Sequence, residues 1–94
     1  MSKNREKLIA AGTNPDEQAF GGFTQLQLHD AFDLVCDPDG WKMPIKNKVI
    51  DGKDLAMVEA AVKFFTGGGL SKTTTTRDGR VKISAKGYYH HTGS

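Results

Sequence analysis

The side chains with the most chemistry to offer lie close together near the C-terminus. Arg77, Arg80, Lys82 and Lys86 sit in a stretch rich in Ser and Thr, with Tyr88 just beyond. Cations supply charge, hydroxyls donate to phosphate oxygens, and an aromatic ring stacks on a base. That combination suits a nucleotide or a nucleic-acid backbone. A second candidate pair is Trp41 with Lys42, a ring beside a cation. Each has a plainer reading. An antiparallel sheet with one solvated face is polar on that face whatever its function, Lys and Thr there also protect edges from aggregation, and a lone Trp commonly anchors a core or an interface.

Other motifs carry less. Gly67-Gly68-Gly69-Leu70-Ser71-Lys72 superficially resembles a phosphate loop, but such a loop runs from a strand into a helix. Here the glycines follow a helical pattern and precede an extended one, so they read as a helix cap and a joint. His90 and His91 are adjacent, and neighbours on a strand point to opposite faces. With His29 and Cys36 they form no recognisable ligand spacing, and no metal or other cofactor is expected. Cys36 closes an apolar helix pattern and reads as a small hydrophobe. Asp37 and Asp39 flank Pro38 in a turn. No nucleophile lies beside a base and an orienting group, so the chain is read as a binder and not an enzyme.

These residues must be held by a thin scaffold. Ninety-four residues make one domain, of a size that buries only about 60–65% of its unfolded surface. Association of copies is an ordinary way to add buried area, and a homo-oligomer is expected. The single cysteine cannot form an internal disulfide. No apolar run reaches the length of a membrane span and no signal peptide follows Met1, so a cytoplasmic protein without a membrane partner is expected. Charge is unevenly spread. Residues 1–41 hold three cations and seven carboxylates, a net −4, while residues 42–94 hold ten cations and four carboxylates, a net +6. The asymmetry suggests an anionic partner for the second half or contact between copies; it also fits an unevenly charged, solvated surface.

The pattern along the chain predicts an α+β domain over residues 24–94 behind a flexible N-terminal arm, residues 1–23. In the arm, Lys3 to Ala11 reads as a frayed helix capped by Gly12, and Gly21-Gly22 as a flexible joint. Leu28, Ala31, Phe32 and Val35 have the spacing of one helix face. Residues 47–50 read as extended, and Asp51 as the N-cap of a second helix with Leu55, Val58, Val62 and Phe65 on one stripe. The last part reads as a β-hairpin closed by a two-residue turn at Asp78-Gly79. That register pairs Arg77 with Arg80, Thr76 with Val81 and Thr74 with Ile83. It puts Leu70, Thr74, Thr76, Val81, Ile83 and Ala85 on one face, with Lys72 a misfit there. The fold expected is two helices followed by a C-terminal antiparallel hairpin, the hairpin resting on the helices or pairing with strands elsewhere.

Ala31-Phe32-Asp33-Leu34-Val35, Pro38, Trp41-Lys42-Met43-Pro44-Ile45, Phe64-Phe65-Thr66-Gly67 and Gly87-Tyr88-Tyr89 resemble a family of small uncharacterised proteins of phage and prophage genomes. The resemblance spans residues 26–94. It implies a small accessory protein made in an infected host, one that modulates host defence by sequestering a signal molecule or occluding a host protein. The sequence reading is therefore a non-catalytic binder of an anionic small ligand such as a nucleotide signal, with Trp41, Lys42, Arg77, Arg80, Lys82, Lys86 and Tyr88 as binding residues. The alternatives are a protein–protein inhibitor of a host factor or a nucleic-acid binder; a net charge of only +2 argues against the last.

Overall fold

The structure, a computed structural model, describes residues 3–36 and 44–86. Its architecture is mixed helix and strand, with three α-helices and two antiparallel sheets among the described residues. The arrangement of two helices and a hairpin is too simple, and the first correction comes at the N-terminus. Residues 3–23 are folded. Helix α1 (Lys3–Ala10) closes on Gly12, whose φ of +81° allows the Thr13 N–H to reach back to Leu8 O at 2.8 Å and its own N–H to reach Ile9 O at 3.0 Å. Gly21 and Gly22, both at positive φ, make a tight turn between β1 (Gln18–Phe20) and β2 (Phe23–Thr24), with Phe20 opposite Phe23. The physical reason is that paired glycines satisfy the two left-handed positions such a turn demands.

This N-terminal piece fastens the next helix. Thr24 caps α2 (Gln25–Asp33) in a reciprocal box with Gln27: the Gln27 N–H donates to Thr24 Oγ1 and the Thr24 N–H to Gln27 Oε1. The Gln25 N–H donates to Glu17 O at 2.9 Å and the Leu26 N–H to Pro15 O at 3.0 Å. The first three amides of α2 are thus all engaged. Asn4 of α1, 6% exposed, donates to Asp30 Oδ1 and Asp33 Oδ2 of α2 at 2.8 and 2.7 Å.

The core forms where the helical spacing puts it. Leu28, Ala31 and Phe32 are fully buried, with Val35 just beyond the end of α2. They meet α3 (Leu55–Thr66) through its buried Val58, Ala61, Val62 and Phe65; the Phe32 and Phe65 rings lie 5.0 Å apart. Gly67 ends α3 in the left-handed region. Asp51 does not cap α3. It ends a strand, a single 3-10 turn (Gly52–Asp54) intervenes, and neither Asp51 nor Asp54 makes a side-chain cap hydrogen bond.

The C-terminal hairpin is two-thirds of a sheet. Strand β3 (Ile45–Asp51) pairs with β5 (Arg80–Ala85), which pairs on its other edge with β4 (Lys72–Thr75), giving the order β3-β5-β4. The hairpin register is the second correction. The Thr76 N–H donates to Arg80 O at 2.8 Å, leaving a three-residue loop, Arg77-Asp78-Gly79, with Gly79 at φ +84°. A turn ending in one left-handed glycine is the three-residue alternative to the two-residue hairpin. Thr75 therefore faces Val81, Thr74 faces Lys82 and Lys72 faces Ser84. A slip of one residue exchanges the faces of β4. On the inner side Ile45, Ile50, Val81, Ile83 and Ala85 join the helices in one apolar cluster. Gly52 is wedged against the same loop, since a Cβ there would lie 2.8 Å from Gly79 O.

Truncating Phe32 to Ala removes a ring from the centre of this cluster and lowers the unfolding free energy by about 3–5 kcal/mol. Truncating Ile9, 59% exposed, changes it by about 0.5 kcal/mol or less. Urea denaturation of both variants checks this, and equal effects would contradict the packing described.

Candidate functional site

Side chains alternate along β5, so burial of Val81, Ile83 and Ala85 puts Arg80, Lys82 and Ser84 on the opposite face. Arg80 and Lys82 are exposed there, about 7 Å apart along the strand. The neighbouring strands add to this face through direct pairing. Thr74 lies opposite Lys82 and Lys72 opposite Ser84 on β4; Val49 lies opposite Lys82 and Asp51 opposite Arg80 on β3. The face is a plate of cations and hydroxyls with an acid and an apolar residue along one border. It is rigid at its centre because β5 is hydrogen-bonded on both edges. Ser84 is held by the Asn47 N–H, which donates to its Oγ at 3.0 Å. Asn47, at φ +49°, sits in the β3 irregularity between Ile45 and Lys48.

The structure brings together some of the residues singled out from sequence and separates others. Arg80 and Lys82 share the plate. Arg77 is exposed at the loop tip, off the strand ladder, and Lys86 is exposed just past the end of β5. Trp41, Lys42 and Tyr88 lie outside the described residues, as do Pro38, His90 and His91. Sequence reasoning missed Lys72 and Thr74, assigned to the buried side by the two-residue turn. The signal was present: Lys72 was out of place in that register and is in place in the observed one.

Electrostatics at the loop are local. Asp78 Oδ1 accepts from Thr76 Oγ1 and from the Arg80 N–H at 3.4 Å, and its other oxygen is 3.7 Å from Arg80 Nε. The Thr76 hydroxyl above all, then the Arg80 amide and the Arg80 charge, holds the Asp78 carboxyl below its usual value of 3.8. Asp78 draws Arg80 toward the loop, while Lys72 and Lys82 have no ion-pair partner among the described residues.

A cleft of about 280 Å³ opens at the C-terminal end of β3, lined by Leu34, Val49, Ile50, Asp51, Asp54 and Arg80. A groove of about 240 Å³ lies between the β1–β2 turn and α3, lined by Phe20, Phe23 and Ala60 among others. Cys36 is buried. Among the described residues no three His, Cys, Asp or Glu side chains converge as metal ligands, and no helix is long and apolar enough to cross a membrane. Comparison with protein-family models, with curated proteins and with solved structures finds no match to this chain.

The lowered carboxyl has a checkable consequence. A group whose folded pKa is depressed contributes stability above its unfolded pKa and loses it as pH falls through the folded value. Thr76→Val removes the largest cause, so the Asp78 carboxyl titrates closer to 3.8 and the acid-side loss of hairpin order moves to higher pH. NMR titration of the Asp78 carboxyl in both proteins checks this; an unchanged titration would contradict it.

Proposed function

We propose that the chain is a non-catalytic binding protein that holds a phosphate-bearing small ligand, such as a nucleotide signal, against the outer face of the β3-β5-β4 sheet. It acts as a phage-type accessory protein in the cytoplasm of an infected host, lowering the free concentration of that ligand. The observation that carries this reading is the side-by-side placement of Arg80 and Lys82 on the outer face of β5, with Thr74 opposite Lys82 and Lys72 opposite Ser84. Arg80 gives a planar, forked donor set and Lys82 a compact charge. The Thr74 hydroxyl beside Lys82 offers a neutral donor for a phosphate oxygen. The binding is contact-driven and involves no bond making.

The spread of the cations matters to the kind of anion. Lys72, Lys82 and Arg80 are spaced across two strands and suit a ligand with more than one phosphate better than a single phosphate. A long nucleic acid would call for a larger cationic surface and would show a steep fall in affinity with salt.

The test is titration with guanosine triphosphate, adenosine triphosphate, a cyclic dinucleotide and a single-stranded oligonucleotide, read by thermal shift and calorimetry. One mononucleotide or dinucleotide class raises Tm and binds with a modest salt dependence. Arg80→Gln combined with Lys82→Gln lowers that affinity by about a hundredfold, about tenfold per cation, and leaves the melting of the free protein nearly unchanged because both side chains are exposed. No shift with any nucleotide would contradict the proposal, as would binding that survives the double variant.

A further inference from the structure

We propose that the edge of β3 turned away from β5 pairs antiparallel with β3 of a second copy of this chain across a two-fold axis, joining two three-stranded sheets into one of six strands. This stands apart from the ligand proposal and does not depend on it.

Strand β3 borders the sheet: among the described residues it pairs with β5 alone. Its hydrogen-bonding phase follows from the ladder. The Gly52 N–H donates to Gly79 O, and in the same register Ile50 faces Val81 and Lys48 faces Ile83. These alternate residues use their backbone groups toward β5, so Val49 and Asp51 direct theirs outward. An unpaired row of this kind is a template for another strand.

Three observations choose the occupant. First, Leu34 and Val49, two exposed large apolar side chains at 52% and 47%, both line the cleft beside this edge. Second, Asp51 and Asp54 line the same cleft. Both sit at helix-start positions, yet neither makes a cap hydrogen bond. Third, the strand is unevenly charged, with Lys46 and Lys48 toward its start and Asp51 at its close. Antiparallel self-pairing brings the basic half of each copy toward the Asp54 end of the other, so one two-fold contact makes the same charge pair twice. With Val49 opposite its symmetry mate, Lys48 of each copy lies opposite Ile50 of the other. Lys48 shares the inner side of the sheet with Ile50, so its stem can run along Ile50 and Leu34 while its ammonium reaches Asp54. The other border, β4, has Lys72 and three threonines, with neither an acid nor an apolar side chain to match.

The contact is short. Residues 48–51 are the regular part of β3, because the irregularity lies between Ile45 and Lys48. The interface falls in the small class, below about 1,200 Å², so association is reversible and concentration-dependent. A two-fold axis perpendicular to the sheet keeps both outer faces on one side and brings two Arg80–Lys82 pairs onto a single plate.

Sedimentation velocity of the full chain across a micromolar concentration series tests this, with circular dichroism and melting to confirm that each variant folds. The wild-type chain shifts from monomer to dimer with concentration. Lys48→Glu alone and Asp54→Lys alone each weaken dimerisation by about tenfold or more. An equimolar mixture of the two restores it as a heterodimer. The carboxylate introduced in one chain then meets the ammonium introduced in the other, and the second contact keeps the original pair of Lys48 with Asp54. Val49→Pro removes an outward N–H, leaves the β5 ladder intact and abolishes the dimer; Val49→Lys serves the same purpose should the proline disturb the strand. A monomer at every concentration overturns the proposal. So does a dimer that persists in the folded Val49 variants, or a mixture that forms no heterodimer.

Discussion

Strand β5 is hydrogen-bonded along both edges, to β3 on one side and β4 on the other, and that double pairing fixes the direction of every side chain it carries. Val81, Ile83 and Ala85 are pressed into the cluster with α2 and α3, and a strand that buries every second residue has to show the others to solvent. Arg80, Lys82 and Ser84 are those others. The cationic plate is therefore a consequence of core packing: turning Lys82 inward would require turning Ile83 out. The hydrophobic term for one fully buried aliphatic side chain, about 1.5–3 kcal/mol, exceeds what an exposed charge gains or loses by moving over a surface.

The N-terminal residues support the same frame from the other side. Helix α2 packs Leu28, Ala31 and Phe32 against α3 only if its own start is secured, and the carbonyls of Pro15 and Glu17 supply that security together with the Thr24–Gln27 box. Asn4 then ties α1 to the flank of α2, and Leu8 of α1 is buried. For a chain of 94 residues, with little core to spare, recruiting the N-terminal segment is an efficient way to cover apolar surface. It also means that the amides at the start of α2 are spoken for.

Much of this was legible in the residues. The 3.6-residue spacing of Leu28, Ala31, Phe32 and Val35, and of Val58, Val62 and Phe65, marked the two packed helices because both faces are uniformly apolar. Gly12 and Gly67 marked helix ends because each occupies a left-handed position that other residues resist. Three features were not legible, each for a physical reason. Residues 47–50 read as extended, but the start of β3 and its pairing with β5 did not show, because only Ile45 and Ile50 are buried, five residues apart across an irregularity, and no period-two alternation runs through the strand. Gly21-Gly22 suits a flexible joint and a tight turn equally; the choice depends on Phe20 and Phe23 finding each other. Asp78-Gly79 fits both a two-residue and a three-residue loop, and the hydrogen bond from the Thr76 amide to Arg80 O, reinforced by the Thr76–Asp78 side-chain contact, selects the longer one. Lys72 carried the information that decides between them, since only the longer loop takes it out of the apolar face.

The most direct measurement is a set of cross-strand Hα–Hα nuclear Overhauser effects, which are strong between directly opposed residues of non-hydrogen-bonded antiparallel pairs. A central β5 with a three-residue loop predicts contacts Thr73–Ile83 and Thr75–Val81 to one neighbour and Val49–Lys82 and Asp51–Arg80 to the other. Contacts joining Thr74 to Ile83 and Thr76 to Val81 would contradict it, for Thr74 and Lys72 would then not share a face with Arg80 and Lys82; so would the lack of any contact between β3 and β5, for β5 would then be an edge strand.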